Sequence, residues 1–275
     1  MLDHMLERLR RELTVDSERF AGVAGFCARD LVTGSEISLL GDEPFPSAST
    51  IKIYILVTLL CQAEQESSLL QQRISIDTRV PGSGILTYLE NAVELSLLDL
   101  AILMMIVSDN TATNMCIDRA GIDNINATIA GFGLKNTALR RAMQDAEAIA
   151  AGRENISTPH DLVATFAALH AGKPTPAVAR RALDIMSKPF STPFRAAVPD
   201  SVRMAHKPGG MPRVRSEASL VFLPKRPYAF SVMCKYAMGD NVEQAAFLSE
   251  MARKTHRVFA TLDDTNAFGQ GLSAS

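Results

Sequence analysis

What this 275-residue chain lacks narrows the field before anything it contains. It has no surplus of charge: 28 lysines and arginines stand against 30 aspartates and glutamates, a formal net charge of −2. That balance offers no electrostatic footprint for nucleic acid or an anionic membrane, and a cluster such as Arg8–Arg11 reads as the solvated side of a helix. It is poor in metal-ligating residues, with four cysteines and five histidines. Cys27, Cys61, Cys116 and Cys234 lie far apart inside apolar runs, and no Cys-x-x-Cys or Cys/His pair has ligand spacing. The reading is four buried thiols, no metal and no cofactor. No run reaches the length of a membrane span, and Met1–Thr14 is charged and amphipathic, unlike a secretory leader. A cytoplasmic protein is expected, or one whose leader has been removed, with no membrane or nucleic-acid partner. Repeats, low-complexity tracts and linkers are missing too, so one unit over 1–275 is expected, its oligomeric state left open.

What is present is an ordinary globular balance, 47% hydrophobic and 21% charged, in a chain long enough for a substantial core. Asp3–Thr14 has the periodicity of an amphipathic helix, and Phe20–Leu31 with Glu36–Leu40, split by Thr33-Gly34-Ser35, reads as a hairpin. Helical patterns follow from Ser49 onwards, over Leu97–Val107, Thr111–Ala120, Ile125–Phe132, Thr158–Leu169 and Pro176–Met186, with Pro189–Pro199 as loop. Residues 135–156 carry no strong period. Then Val202–Lys207, Ala218–Leu223 and Tyr228–Lys235 read as strands parted by Gly209-Gly210 and Pro224–Pro227, before a closing helix over Val242–Leu262 and a polar tail. Strands at both ends and helices between them predict an α+β fold. Its antiparallel sheet of about five strands would be built from both chain ends and flanked by the terminal helices. The expected division is 1–48 with 201–275 as an α/β subdomain and 49–200 as an inserted helical one.

The chemistry centres on Pro46–Gln62, where small residues lead into a long apolar run. Ser49 and Lys52 are three apart, on one face of the expected helix. A serine at a helix start beside an ammonium is a candidate nucleophile, and it is equally a helix cap beside a stray charge. Ser108-Asp109-Asn110 interrupts the helical pattern further on, and Lys207-Pro208-Gly209 lies on a strand.

Taken in that order and spacing, these three motifs resemble the set found in class A β-lactamases and their penicillin-binding relatives. Gly82–Leu86, Leu95–Leu100, Met105–Asn114 and Val202–Arg215 extend the likeness over nearly the whole chain. The resemblance implies that Ser49 attacks a carbonyl and forms an acyl-enzyme, with Lys52 as its base, kept neutral by burial and a second cation. It implies that Ser108 relays the proton, Asn110 positions the substrate amide, and Lys207 faces a substrate carboxylate. The N–H groups of Ser49 and Gly210, beside Gly209, would form the oxyanion hole.

Two departures stand out. Counted back from Thr158-Pro159, the family's deacylating glutamate falls on Ala142, its loop arginine on Arg140 and that arginine's partner on Asn155. Asp145 or Glu147 is the candidate replacement carboxylate, against the reading of both, with Glu154, as a solvated acidic loop. Pro208 stands where the family has a hydroxyl, and Arg213 or Arg215 could supply the carboxylate contact instead. The leading expectation is a serine hydrolase opening a β-lactam or related amide through acyl-Ser49. Its rivals are an intracellular esterase, amidase or peptidase on the same centre, and a non-catalytic descendant that binds a ligand or partner.

Overall fold

The computed structural model describes residues 2–188, 191–266 and 268–272. Helix α1 (Leu2–Arg19) leads into the hairpin of β1 (Val23–Asp30) and β2 (Glu36–Leu39). The helical stretch comprises α2 (Lys52–Gln65), α3 (Leu97–Ile106), α4 (Asn110–Ala120), α5 (Ile122–Gly131), the short α6 (Ala146–Ala150), α7 (Pro159–His170), α8 (Pro176–Met186) and the short α9 (Pro193–Ala197). The chain returns to strands as β3 (Met204–Met211), β4 (Val214–Val221) and β5 (Tyr228–Lys235), then closes with α10 (Asn241–Asp263).

The five strands form one antiparallel sheet in the order β2-β1-β5-β4-β3. Its seam is the pairing of β1 with β5, running from Val23 opposite Lys235 to Asp30 opposite Tyr228, which joins the two ends of the chain. The α+β architecture expected from the sequence is the one observed. Side chains alternate across the sheet, as the pleat requires. Phe26, Phe230, Val232 and Cys234 pack on one face with Leu9 and Leu13 of α1 and Leu248 and Phe259 of α10. Cys27, Ala218, Leu220 and Met233 point to the other face and join the core of the helical stretch. With both faces covered, β1 and β5 are apolar over most of their length, which is why they read as runs without polar alternation.

Helix α2 is the axis of that second core: every residue from Lys52 to Leu60 is buried, with α3, α4, α5 and α8 packed around it. A helix buried all round needs no polar stripe.

The structure departs locally from the sequence reading. Gly209 and Gly210 do not separate strands but lie inside β3, which runs on to a turn at Pro212-Arg213, where Arg213 takes the left-handed φ of 61°. Within Pro189–Pro199, Pro189 and Phe190 lie outside the described residues, and α9 forms because Thr192 Oγ1 caps Arg195 N at 3.1 Å. The middle stretch also holds two small strand pairs, Phe45–Pro46 with Ile156–Ser157 and Arg73–Ser75 with Glu94–Ser96. Cys61 is half-buried, whereas the other three thiols are buried. Among the described residues no helix is long and apolar enough to cross a membrane.

Candidate active site

Ser49 sits in a single 3-10 turn, Ala48–Ile51, at the head of α2, so the α-helix proper starts at Lys52, later than the sequence suggests. The turn is held from several directions. Ser47 O accepts Thr50 N at 3.1 Å, Thr50 Oγ1 at 2.7 Å and Ser216 Oγ of β4 at 3.0 Å. Ser47 N donates to Asn155 O at 2.8 Å. Ala48, immediately before Ser49, has φ 47°, a left-handed conformation that disfavours any side chain. The surrounding hydrogen bonds over-determine it and leave Ser49 half-buried, at the floor of a cleft.

Lys52 is fully buried one turn on, and its Nζ donates to Ser108 O at 2.8 Å, Ser108 Oγ at 3.0 Å and Asn110 Oδ1 at 3.2 Å. Ser49 Oγ is not among its hydrogen-bond partners in this structure. Lys207, also fully buried, reaches the same hydroxyl from β3 and donates to Ser108 Oγ at 3.1 Å and Pro208 O at 3.2 Å. Burial pushes the Lys207 ammonium down to about 7, with the Glu217 carboxylate opposing the shift. Lys52 is pushed well below the ordinary lysine range by burial and then by the charge of Lys207, against the pull of Asp109. Two ammonium groups converging on one oxygen repel each other, and that repulsion adds to burial in favouring the neutral form of Lys52. A neutral amine and a retained cation are what base catalysis beside an anion-binding group needs.

Ser108 presents its hydroxyl to both lysines because it takes φ 55° in the short break between α3 and α4. Asp109 holds that break. Its Oδ1 caps Ala112 N at 2.9 Å, and its Oδ2 accepts Ile85 N and Leu86 N at 2.7 and 2.8 Å. Gly84 is required there: with φ +115°, a Cβ would lie 2.4 Å from Asp109 Cα. Asn110 Nδ2 donates to Pro81 O at 3.0 Å, so the same amide ties the Gly82–Gly84 loop to Lys52.

On the opposite wall, β3 is the free edge of the sheet. A Cβ on Gly209 would stand 2.8 Å from Ser49 N and 2.6 Å from Ser216 Oγ, so only glycine lets the strand approach the backbone of Ser49. Gly210 follows, lining the space beside Ser49. Clefts of about 510 and 650 Å³ flank Ser49, and both are also lined by Ser83, Gly210, Met211 and Pro212. Arg215 borders the larger one, its Nη1 2.8 Å from where a Gly210 Cβ would be, and donates through Nη2 to Asn241 O at 3.2 Å. The two arginines are thus separated by position: Arg213 is in the hairpin turn, bonded to Ala237 O at 3.1 Å.

The loop from 139 to 157 corrects the count made on the sequence. Ala142 lines a separate cleft with Asp77, Asp118 and Arg119, away from Ser49. The loop residues lining the smaller cleft at Ser49 are Arg141, Met143, Gln144, Ile149, Glu154 and Asn155. Asn114, one turn after Asn110 on α4, fixes Met143 by both backbone groups: Met143 N donates to Asn114 Oδ1 at 2.8 Å, and Asn114 Nδ2 donates to Met143 O at 3.1 Å. The ion pair across the loop is Arg141–Glu154 at 2.6 Å, each partner one residue inside the positions counted. Asn155 is a buried clasp, its Oδ1 accepting Arg140 N and Arg141 N at 2.7 and 3.1 Å and its Nδ2 donating to Arg141 O at 3.1 Å. Asp145 caps α6 through Ala148 N at 2.9 Å, and Glu147 is almost fully exposed, 3.8 Å from Arg153. Among the described residues the carboxylate lining the smaller cleft beside Ser49 is Glu154, a residue the sequence reading left among solvated loop charges. A gapless count has no access to the side-chain clasps that fix the loop's register.

Local spacing also hid one grouping: Cys27, Glu36 and His160 come together in space, where the sequence suggested no metal ligands.

Known proteins share this fold. The structure of PBP-A superposes with a TM-score of 0.82 at 28% identity, covering 92% of this chain and 96% of that one. A β-lactamase from Sphaerobacter thermophilus superposes with a TM-score of 0.84 at 25% identity, covering 91% of this chain and 97% of that one. A mutant of PBP-A, solved as an acyl-enzyme complex with penicillin G, gives 0.83 at 29% identity over 93% and 97%. By sequence, Beta-lactamase L2 of Stenotrophomonas maltophilia is 32% identical over 101 residues, 36% of this chain, and the match spans about a third of that protein (33%). The model of the Beta-lactamase enzyme family matches residues 7–259, and the chain belongs to that family.

Proposed function

We propose that the protein opens a β-lactam or related amide by acylating Ser49. The observation that carries this reading is the convergence of Lys52 and Lys207 on Ser108 Oγ beside that serine. Neutral Lys52 takes the Ser49 proton as its oxygen bonds to the carbonyl carbon. The N–H groups of Ser49 and Gly210 receive the developing oxyanion. As the C–N bond breaks, the proton passes from Lys52 through Ser108 Oγ to the leaving nitrogen. Lys207 and Arg215 hold the substrate carboxylate, and Asn110 orients its amide. The acyl-enzyme described for the PBP-A mutant with penicillin G supports the same covalent route here.

Release is the slow step in this reading. Met143 lines the cleft at Ser49, and the carboxylate that lines it too, Glu154, is engaged by Arg141 and by Asn155 N at 2.9 Å. That observation also favours a second reading, in which an ester or peptide whose acyl group leaves more readily is the working substrate. Hydrolysis of a chromogenic cephalosporin against a panel of simple esters separates the two. Ester turnover many times faster than release of the lactam would establish the second reading, and slow lactam turnover with no ester turnover would remove it.

A further inference from the structure

We propose that Cys27, Glu36 and His160 form a zinc site that fastens the outer hairpin of the sheet to the start of α7. The Sγ of Cys27, a carboxylate oxygen of Glu36 and a ring nitrogen of His160 lie within 4.8 Å of one another. They come from β1, β2 and the second residue of α7, so the grouping is a product of the fold.

The orientation of the imidazole argues for a cation. His160 Nδ1 lies 2.9 Å from Asp42 Oδ1, and since a carboxylate only accepts, Nδ1 donates. Nε2 lies 3.1 Å from Glu36 Oε1, yet it is buried and makes no hydrogen bond. A nitrogen lone pair and a carboxylate oxygen therefore face each other with no proton aligned between them. Two zinc ligands about 2.0–2.2 Å from the ion in a tetrahedron stand roughly 3.3 Å apart, so these atoms are already spaced as donors to one ion. The Asp42–His160 contact is the outer carboxylate that orients a ligating imidazole. Arg29 Nε donates to the other oxygen, Oε2, at 2.6 Å, which leaves Oε1 as a single-point ligand. Gly41 leaves the space the ring occupies, since a Cβ there would stand 2.4 Å from Nε2. Binding would release one proton, from the Cys27 thiol to solvent, with water as the fourth ligand.

The fastening has a consequence for the cleft. His160 N also donates to Gly41 O at 2.9 Å, and Phe45–Pro46 pair with Ile156–Ser157 just before the nucleophile turn. The ion would thus tie the segment entering Ser49 to the segment leaving the 139–157 loop.

The test uses Zn2+ and Co2+ on the intact chain and reads binding, so it is independent of the acylation chemistry. Elemental analysis after dialysis should find one zinc per chain, and cobalt should give a near-ultraviolet thiolate-to-metal band. Both should be lost in Cys27→Ser and in His160→Gln and kept in Cys61→Ser. Zinc at a hundredfold above its Kd should raise Tm by roughly 5 °C in the parent and in Cys61→Ser, and not in Cys27→Ser or His160→Gln. His160→Gln, at a partly exposed position, decides the matter if Cys27→Ser does not fold. A band that survives His160→Gln, or one abolished by Cys61→Ser, would overturn the site, as would a parent chain that retains no zinc.

Discussion

Lys52 Nζ and Lys207 Nζ meet on one oxygen, Ser108 Oγ, at 3.0 and 3.1 Å. One comes from a buried helix and the other from a sheet edge, and between them they hold the hydroxyl that would carry the proton across the cleft.

Burying both amines has a measurable effect on stability. A lysine whose pKa is lower folded than unfolded binds fewer protons in the native state between the two values, so stability rises with pH across that window. For Lys207 the window runs from about 7 to the ordinary 10.5, and the destabilisation is complete below it. Lys207→Met should therefore be more stable than the parent by about 1–2 kcal/mol at pH 6, with the gap closing towards pH 10. Urea unfolding across that range measures it, and a gap independent of pH would contradict the account. Acylation should follow a bell, rising as Lys52 loses its proton and falling as Lys207 does.

Gly209→Ala introduces a Cβ against Ser49 N and Ser216 Oγ, 2.8 and 2.6 Å away. Displacing the Ser49 N–H should lower the acylation rate about 100- to 1000-fold, the usual effect of losing an oxyanion donor. Stopped-flow acylation with unchanged far-ultraviolet circular dichroism checks it. A loss below tenfold would mean that β3 yields.

Because Met143 lines the cleft at Ser49 and Ala142 lines another, a carboxylate at the two positions should act differently. Met143→Glu should speed deacylation by tenfold or more, within the range of a positioned general base, while Ala142→Glu leaves it unchanged. Single-turnover decay of the acyl-enzyme measures both, and equal effects would contradict the loop's register.

Asn155→Ala would strip an acceptor from Arg140 N and Arg141 N inside a buried loop. Two unsatisfied donors cost about 2–4 kcal/mol, read from the urea midpoint. The Asp variant, which keeps the acceptor, should retain more than half of that stability. If Ala and Asp are equally damaging, the clasp is not what holds the loop.

These expectations separate what the sequence makes legible from what it does not. Ser49, Lys52, Ser108, Asn110 and Lys207 could be picked out because motif residues keep their types and order, and the sheet because its strands are apolar runs bounded by turns. The loop register could not, since it is fixed by Asn114 and Asn155, two amides with ordinary surface composition and no periodicity. Gly209-Gly210 read as a break because propensity favours one, but their pairing with Ser216 and Arg215 and the approach of Ser49 override it. The Cys27, Glu36 and His160 group was invisible for a simpler reason: its members are brought together only by the sheet and α7.

The central claim is that Ser49 is acylated and the acyl group lingers. Intact mass of the protein after mixing with penicillin G tests it most directly. The account predicts a gain of one whole penicillin, because ring opening expels no leaving group, persisting over minutes and absent in Ser49→Ala. No gain with the parent chain, or the same gain in Ser49→Ala, would contradict it.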